Sequence, residues 1–525
     1  NVRTWSYVSN KNNWIENQDY WIEKTKLLED RLSDRLHEEL TKTFIDKRAS
    51  MLARGLKQDM EFKTEIFENN DVKIRRYWDV RYEIDYEHSS TYFSKTLNEL
   101  VNESLSMHLR SDVPVGSYVS GGIDSSLLYI LANQNLNSSP LGFHGRFTNP
   151  STGYDESKYA MAAAKQSDGI LKIIDIDSTC FRKHIRDVIY HLDFPAAGPG
   201  SFPQFMVSKL AAESVKVLLG GQGGDELFGG YARYLIAYLE QCLNAAIEGK
   251  YKNGNYVVTI ESILPNLGML REYKPLIQQF WSKGLFESMD KRYLRLIDRS
   301  TDMNDEILWD ELDTTQTYNN FSKIFNNPTN VKKEAYFDKM THYDLKCLLP
   351  ALLQVEDRMG MAHGIESRVP FLDHRLVEFA ATIPADVKFR NGSMKHLLKS
   401  VFARELPREI INRRDKMGFP VPLTEWFKTD LNDFISDIFQ VMVEKDRPYV
   451  NSNAIKDNYV GDKPFSRKTW GLLSLELWYQ EFHDQAQKYR SMLDQEENSH
   501  AIKDKRKNEK NNHHRRVRAN RFAHR

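Results

Sequence analysis

The stretch Ser120-Gly121-Gly122-Ile123-Asp124-Ser125-Ser126 carries the densest chemistry in the chain. Two adjacent glycines let a backbone turn sharply and come close to an anion. If a helix starts just behind them, its free N–H groups and its dipole point at that anion. The hydroxyls of Ser120, Ser125 and Ser126 add donors. Asp124 is the odd member, because a carboxylate inside a phosphate cradle repels the phosphate unless a cation lies between them. Asp124 therefore reads as a Mg²⁺ ligand. The Walker pattern is excluded: it ends in Gly-Lys-Ser/Thr, and Gly249-Lys250 is followed by Tyr251. An ordinary tight turn explains the glycine pair alone but not the serines and the acid around it.

A second stretch repeats the design. Gly220-Gly221-Gln222-Gly223-Gly224-Asp225-Glu226-Leu227-Phe228-Gly229-Gly230-Tyr231 again joins glycines to acids. Asp225 can give a second carboxylate to the cation held by Asp124, which offsets the repulsion between the two acids. The competing use of Asp225 is as a helix cap. Other reactive constellations are missing. His37-Glu38-Glu39 has Thr41 where a zinc motif needs its second histidine, and no nucleophile elbow occurs. Cys180, Cys242 and Cys347 are too widely spaced for a disulfide framework or a CxxC knuckle, and suit a reducing cytosol.

The elements that must position these loops can be read from hydrophobic pattern. Val115–Val119 is a short apolar strand directly before the first loop, and Val215–Leu219 one before the second. Lys172–Ile176 is another strand. Tyr92–Leu109, Ser125–Ala132 and Phe205–Ser214 read as helices, and 340–440 as mainly helical between prolines. Alternation of strand and helix predicts a parallel sheet with helices on its faces. Lys73–Trp78 reads as a further strand. Leu28, Leu32, Leu36, Leu40 and Phe44 recur every fourth position, predicting an amphipathic N-terminal helix, for packing or for docking a partner.

The first loop resembles that of the ATP pyrophosphatase (PP-loop) enzymes, and the second resembles its counterpart in asparagine synthetase. Tyr154–Ala160, His191-Leu192-Asp193, Val355–Met359, Glu366–Asp373 and Lys416–Pro420 follow in that family's order, so the resemblance spans roughly 70–480. It implies an α/β, Rossmann-like sheet with helices on both faces and helical N- and C-terminal extensions. The implied segments are a helical 1–62, a connector 63–90, a synthetase domain 91–440, helices over 441–495 and a basic disordered tail over 496–525. It implies that ATP phosphates meet Ser120, Gly121, Gly122, Asp124, Ser125 and Ser126. Tyr118, Val119, Gly220 and Gly221 would line the adenosine, and Asp124 and Asp225 would hold Mg²⁺. Lys416 would steady the adenylate and the departing pyrophosphate, with Lys395 a weaker candidate for that cluster. Glu366 and Arg368 are read as an ion pair or as substrate contacts. The implied reaction is activation of aspartate by ATP and capture of the acyl-adenylate by ammonia to give asparagine.

Two departures from the family pattern stand out: Gln222 and Phe194 occupy positions where many relatives carry an acid. Glutamine can hydrogen-bond but cannot act as a base or a metal carboxylate. The family's glutaminase half opens on a cysteine nucleophile, whereas position 1 here is Asn1. The expectation is that this chain alone does not hydrolyse glutamine, and that ammonia comes from solution or from a glutaminase domain or subunit. A homodimer is a further expectation. The rivals are another amide-, lactam- or peptide-cyclising synthetase of the same fold, or a non-catalytic nucleotide- or RNA-binding scaffold.

Composition bounds these readings. The 525 residues suggest several domains, and 41% hydrophobic content is ample for a core. Lys+Arg and Asp+Glu are equal at 73, which argues against a globally basic nucleic-acid binder. The region 503–525 holds ten Lys/Arg against two acids and reads as a solvated tail. No apolar run approaches a bilayer span and no leader pattern opens the chain, so a cytoplasmic setting is expected.

Overall fold

The computed structural model describes residues 76–492, except short stretches at 136–140, 149–153, 196–197, 250–251, 254–255, 258–259, 332–335, 414–420, 459–466 and 489. Tyr20–Ile22, Lys24, Glu65–Ile66 and Val72–Lys73 are also described. The chain divides into two compact units, up to Asp79 and from Val80 onward. In the first, Glu65–Ile66 pairs antiparallel with Val72–Lys73; of the strand read over Lys73–Trp78, Lys73 is in a strand, 76–78 are not, and the two residues between lie outside the described residues. The leucine repeat over 28–44 and the tail over 496–525 lie outside the described residues.

The second unit is built on a five-stranded sheet. Its strands are β1 (Val115–Tyr118), β2 (Leu141–Phe147), β3 (Ile170–Ile176), β4 (Val217–Leu219) and β5 (Glu366–Arg368), in the order β3-β2-β1-β4-β5. All pairings are parallel, with Tyr118 opposite Phe143 and Ser117 opposite Leu219. Parallel strands need crossovers, and helices supply them: α2 (Ile123–Asn135), α3 (Ser157–Ser167), α4 (Ser178–Leu192) and α5 (Ser201–Ala212). A further helix, α1 (Ser90–His108), precedes β1 and is capped by the Ser89 hydroxyl, which accepts from the Tyr92 N–H.

Side chains alternate across the sheet, as the two-residue period requires. Val119 and Leu219 join a core with Phe93, Leu97 and Val101 of α1, Leu127 to Ala132 of α2, and Ala160 and Ala163 of α3. Tyr118 and Leu218 face the other way and pack with Phe143 and with Val207 and Ala211 of α5. The sheet is therefore covered on both faces, as expected of parallel strands. A mostly helical region follows. It has an aromatic core of Tyr234, Tyr293, Phe321, Phe325, Phe337 and Phe389, while Trp470, Leu473 and Phe439 pack with Phe181 and Ile185 of α4.

The chain leaves β1 toward β2 and β3, then returns to lay β4 on the opposite side of β1. Strand order thus reverses between β1 and β4. In open α/β sheets the crevice at the carboxyl ends of such strands is where ligands bind. Both glycine-rich loops emerge there.

Candidate active site

The first loop closes on itself before α2 begins. The Ser120 N–H donates to Ser125 Oγ at 3.1 Å, the two hydroxyls lie 2.9 Å apart, and the Gly122 N–H reaches Ser120 Oγ at 3.4 Å. Arg413 braces the loop from outside, donating to the Gly121 carbonyl at 3.1 Å and pairing with Glu156. Asp124 falls in the first turn of α2, where a helix favours an acid.

The second loop leads into a five-residue helix, α6 (Gly224–Phe228), with Asp225 and Glu226 in its first turn. Its glycines are there for space. A side chain at Gly224 would overlap Asp124 Oδ1, and one at Gly230 would overlap Asp225 Oδ1 and Lys395 Cε. The two loops therefore pack backbone against side chain, which brings Asp124 and Asp225 onto one point.

That point is held by Lys395. This residue has a positive φ of 54° and stands immediately before a short helix, α8 (His396–Val401). Its ammonium pairs with Asp124 Oδ2 and lies 2.5 Å from Asp225 Oδ1. Burial works against the ammonium, but the two carboxylates more than offset it and hold its pKa above the ordinary range. For Asp124 burial dominates: its carboxyl is pushed up despite Lys395, and Asp225 adds to the rise. Glu226 is pushed up to about 7 by burial and by Asp225, and accepts a 2.5 Å hydrogen bond from the Tyr231 hydroxyl.

The residues fit a divalent cation. Asp124 Oδ1 is buried with no hydrogen-bond partner among the described residues. It belongs to a pair of carboxylates already converging on one positive charge. Mg²⁺ uses one or two protein carboxylates and takes its other oxygens from phosphates and water. Consistent with that sparse donor set, no group of three or more His, Cys, Asp or Glu among the described residues forms a metal site by itself.

The remaining predicted residues are distributed unevenly. Tyr118 turns to the opposite face of the sheet, where burial raises its pKa and its hydroxyl meets Ser208 at 2.9 Å. Val119 is buried and its carbonyl pairs with the His144 ring at 2.8 Å. Ser126 is fully buried in α2. Gly220 and Gly221 lie at the crevice, the Gly220 N–H bound to the Arg368 carbonyl at 2.8 Å. Gln222 hydrogen-bonds Glu356, a buried acid of α7 (Leu349–Met361) that Ser367 also contacts. Glu366 and Arg368 pair at 2.6 Å, and Arg368 also holds the His108 carbonyl, so their contacts are structural. Asp193, the neighbour of Phe194, pairs with Arg358. Lys416 lies outside the described residues.

Three residues absent from the sequence reading join the site: Lys399, Arg413 and Arg233. They line one cavity of about 680 Å³ together with Gly121, Gly122, Asp124, Asp225 and Lys395. Burial and the charge of Lys395 bring Lys399 down to about 8. Arg413 could have been suspected from its place beside the Lys416 stretch, and Glu156 from the Tyr154–Ala160 stretch. Arg233 carried no sequence signal.

The asparagine synthase family model matches residues 96–480, which contain both loops, the sheet and Lys395. The chain belongs to the asparagine synthase family. The glutamine-hydrolyzing asparagine synthetase 1 of Bacillus subtilis (strain 168) is 30% identical over 401 residues, covering 73% of this chain and 59% of the relative. Asparagine synthetase 3 of the same organism, also glutamine-hydrolyzing, is 25% identical over 72% of this chain and 57% of its own length. Amidase chry2 of Gibberella zeae is 23% identical over 73% of this chain and 60% of its own. The chain thus spans less than two thirds of the length of these asparagine synthase relatives. Among the described residues no helix is long and apolar enough to cross a membrane.

Proposed function

We propose that the chain is an ATP-dependent amide-forming ligase that activates a carboxylic acid, aspartate, as its acyl-adenylate. A carboxylate oxygen bonds to the α-phosphorus of ATP as the bond from that phosphorus to the bridging oxygen breaks, and pyrophosphate leaves. Ammonia then attacks the acyl carbon, AMP leaves, and a proton is released with formation of asparagine. The single observation that carries this reading is the convergence of Asp124 and Asp225 on one point where two glycine-rich loops meet.

In this reading the N–H groups of Gly121 and of the start of α2 bind the phosphates. Asp124 and Asp225 would hold Mg²⁺, which when bound neutralises the phosphate oxygens. Lys395 and Lys399, with Lys416, hold positive charge where the pyrophosphate gathers negative charge. Arg413 and Glu156 keep the loop in shape. Ammonia would come from glutamine through a glutaminase part, as the names of the synthetase relatives suggest. Three free cysteines suit a cytoplasmic setting.

The test is release of AMP and pyrophosphate with aspartate, comparing ammonium with glutamine. Asp124→Asn should lower pyrophosphate formation at least about 100-fold, the scale of losing one preorganised electrostatic contact. ADP in place of AMP, or full activity in that variant, would overturn the reading. A second reading, another synthetase of this fold acting on a larger acid, is favoured by the cavity. Beside its phosphate end, Tyr273, Leu276, Leu296, Ile297 and Leu348 give it an apolar wall. Pyrophosphate release with a panel of acids separates the two.

A further inference from the structure

Gly121 is gripped by two segments far from it in the chain. A side chain there would come within 2.6 Å of Tyr159 Cβ and 3.0 Å of the Ala160 nitrogen, so the first turn of α3 lies directly against the loop. Arg413 completes the enclosure. It donates to the Gly121 carbonyl at 3.1 Å, lies over the Tyr159 ring at 3.9 Å and pairs with Glu156. The side chains of Arg413 and Glu156 are 5% and 7% exposed, so the pair is buried. Glu156 stands at the N-cap of α3, yet its side chain makes no capping bond; Asp155 accepts from the Ser157 N–H at 2.8 Å instead. The Glu156 carboxylate is thus directed at Arg413 and not at its own helix.

A buried ion pair is a poor means of stabilising a fold, because apolar residues of similar volume often serve as well or better. What this pair supplies is a fixed direction. The Gly121–Gly122 peptide joins two residues without side chains and can turn over at low cost. In a trans peptide the carbonyl and the N–H point opposite ways. Here the carbonyl is taken by Arg413, and the N–H faces Ser120 Oγ at 3.4 Å. Turned over, the peptide would put its carbonyl oxygen where the N–H now points, beside the Ser120 and Ser125 hydroxyls of the cradle. An acceptor in that place would repel a phosphate. The charge-assisted bond from Arg413 holds the carbonyl away from it. The guanidinium is itself held, with Glu156 on its edge and the Tyr159 ring on its face.

We propose that Glu156 is a positioning residue which, through Arg413, fixes the Gly121–Gly122 peptide so that the first loop presents N–H groups, and not a carbonyl, to the phosphates of the nucleotide. The proposal rests on the nucleotide-binding part of the adenylating reading above and adds the pair that gives the loop its polarity. Neither residue touches phosphate in this role: Glu156 acts on Arg413, and Arg413 acts on the carbonyl.

The experiment is calorimetric binding to the full chain with Mg²⁺, using an α,β-methylene ATP analogue, inorganic pyrophosphate and adenosine as separate probes. The decisive variant combines Glu156→Leu with Arg413→Met. It exchanges two buried charges for apolar groups of similar size, so its thermal unfolding should stay close to that of the wild type. Its affinity for the analogue and for pyrophosphate should nevertheless fall about 10- to 100-fold, the scale of a hydrogen bond to a charged group. Adenosine affinity should stay within about twofold. Glu156→Ala should show the same selective loss, with Glu156→Gln, which can still accept from the guanidinium, recovering part of it. Wild-type affinity for the analogue in the double variant would overturn the proposal. An equal loss for adenosine would also overturn it, as general damage to the cleft. A loss in Arg413→Met with none in Glu156→Ala would make Arg413 a direct phosphate ligand and refute the positioning role. Failure of the adenylating reading looks different: the selective loss is observed, but no acid elicits AMP and pyrophosphate.

Discussion

Lys395→Met is the most informative perturbation of the candidate site. The Lys395 side chain is 7% exposed and that of Asp124 12%, so this pair is largely shielded from water. The Asp225 side chain is 37% exposed, and its share is small after solvent screening. Removing one partner of a buried ion pair costs about 3–5 kcal/mol, because the other charge is left uncompensated. Asp124 can escape part of this by taking up a proton, since burial already favours its neutral form. A net loss of about 3 kcal/mol at neutral pH follows. Thermal unfolding of Lys395→Met without divalent cations should therefore fall by several degrees. Millimolar Mg²⁺ should stabilise this variant more than the wild type, because the carboxylates no longer face a competing ammonium. Asp124→Asn placed on top of Lys395→Met should recover most of the loss, giving a coupling energy of order 1–3 kcal/mol. If Lys395→Met unfolds with the wild type, with and without Mg²⁺, the idea that one cation site is shared by lysine and metal is wrong.

Three further outcomes are expected. Glu226 keeps its proton to about pH 7 in the folded chain, against an ordinary 4.5, so its stabilising contribution is complete below pH 4.5 and lost as pH rises to 7. At about 1.4 kcal/mol per unit this amounts to about 3 kcal/mol. Glu226→Gln should accordingly be more stable than the wild type at pH 8 and equal to it at pH 4.5, and parallel pH–stability curves would refute this. Arg447 holds Glu476 through two bonds of 2.9 and 2.8 Å, and Glu476 is fully buried, so denaturant titration of Arg447→Met should show a loss of about 3–5 kcal/mol. A loss below about 1 kcal/mol would place that pair in the weak surface class. Gly224→Ala forces a methyl against Asp124 Oδ1 and should lower AMP formation at least about tenfold, since small misplacements of reacting groups carry large penalties; unchanged turnover would mean that the two loops are not tightly seated.

What the amino-acid pattern disclosed followed the physics of each segment. Strand β4 was legible as an apolar run, and β1, although it holds Gly116 and Ser117, because Val115, Tyr118 and Val119 lead directly into a glycine-rich turn. Strand β2 was missed because Gly142, His144, Gly145 and Arg146 break its apolar pattern, although His144 is buried and bound to the Val119 carbonyl. Strand β5 is the edge strand Glu366-Ser367-Arg368, whose polar side chains carry no strand signature. Asp124 and Asp225 could be nominated because acids among glycines are chemically conspicuous. Lys395 was only a weak candidate, since nothing local tells that a lysine in a turn will be buried between two acids. The partnership of Arg413 with Glu156, like that of Gln222 with Glu356, joins segments far apart in the chain, and only the tertiary fold displays it.

The placement of β4 beside β1 has a bearing on biogenesis. Two acids about a hundred residues apart become neighbours only once the intervening strands and helices have been laid down, and their lysine arrives from still further along. A nascent chain released from the ribosome early would carry the first loop in sequence but nothing for it to close against. The pocket is thus one of the last features to mature, and slow assembly is the expected behaviour of contacts so remote along the polypeptide. Because those two strands lie in the middle of a sheet packed on both faces, the acids stay together until the sheet itself comes apart.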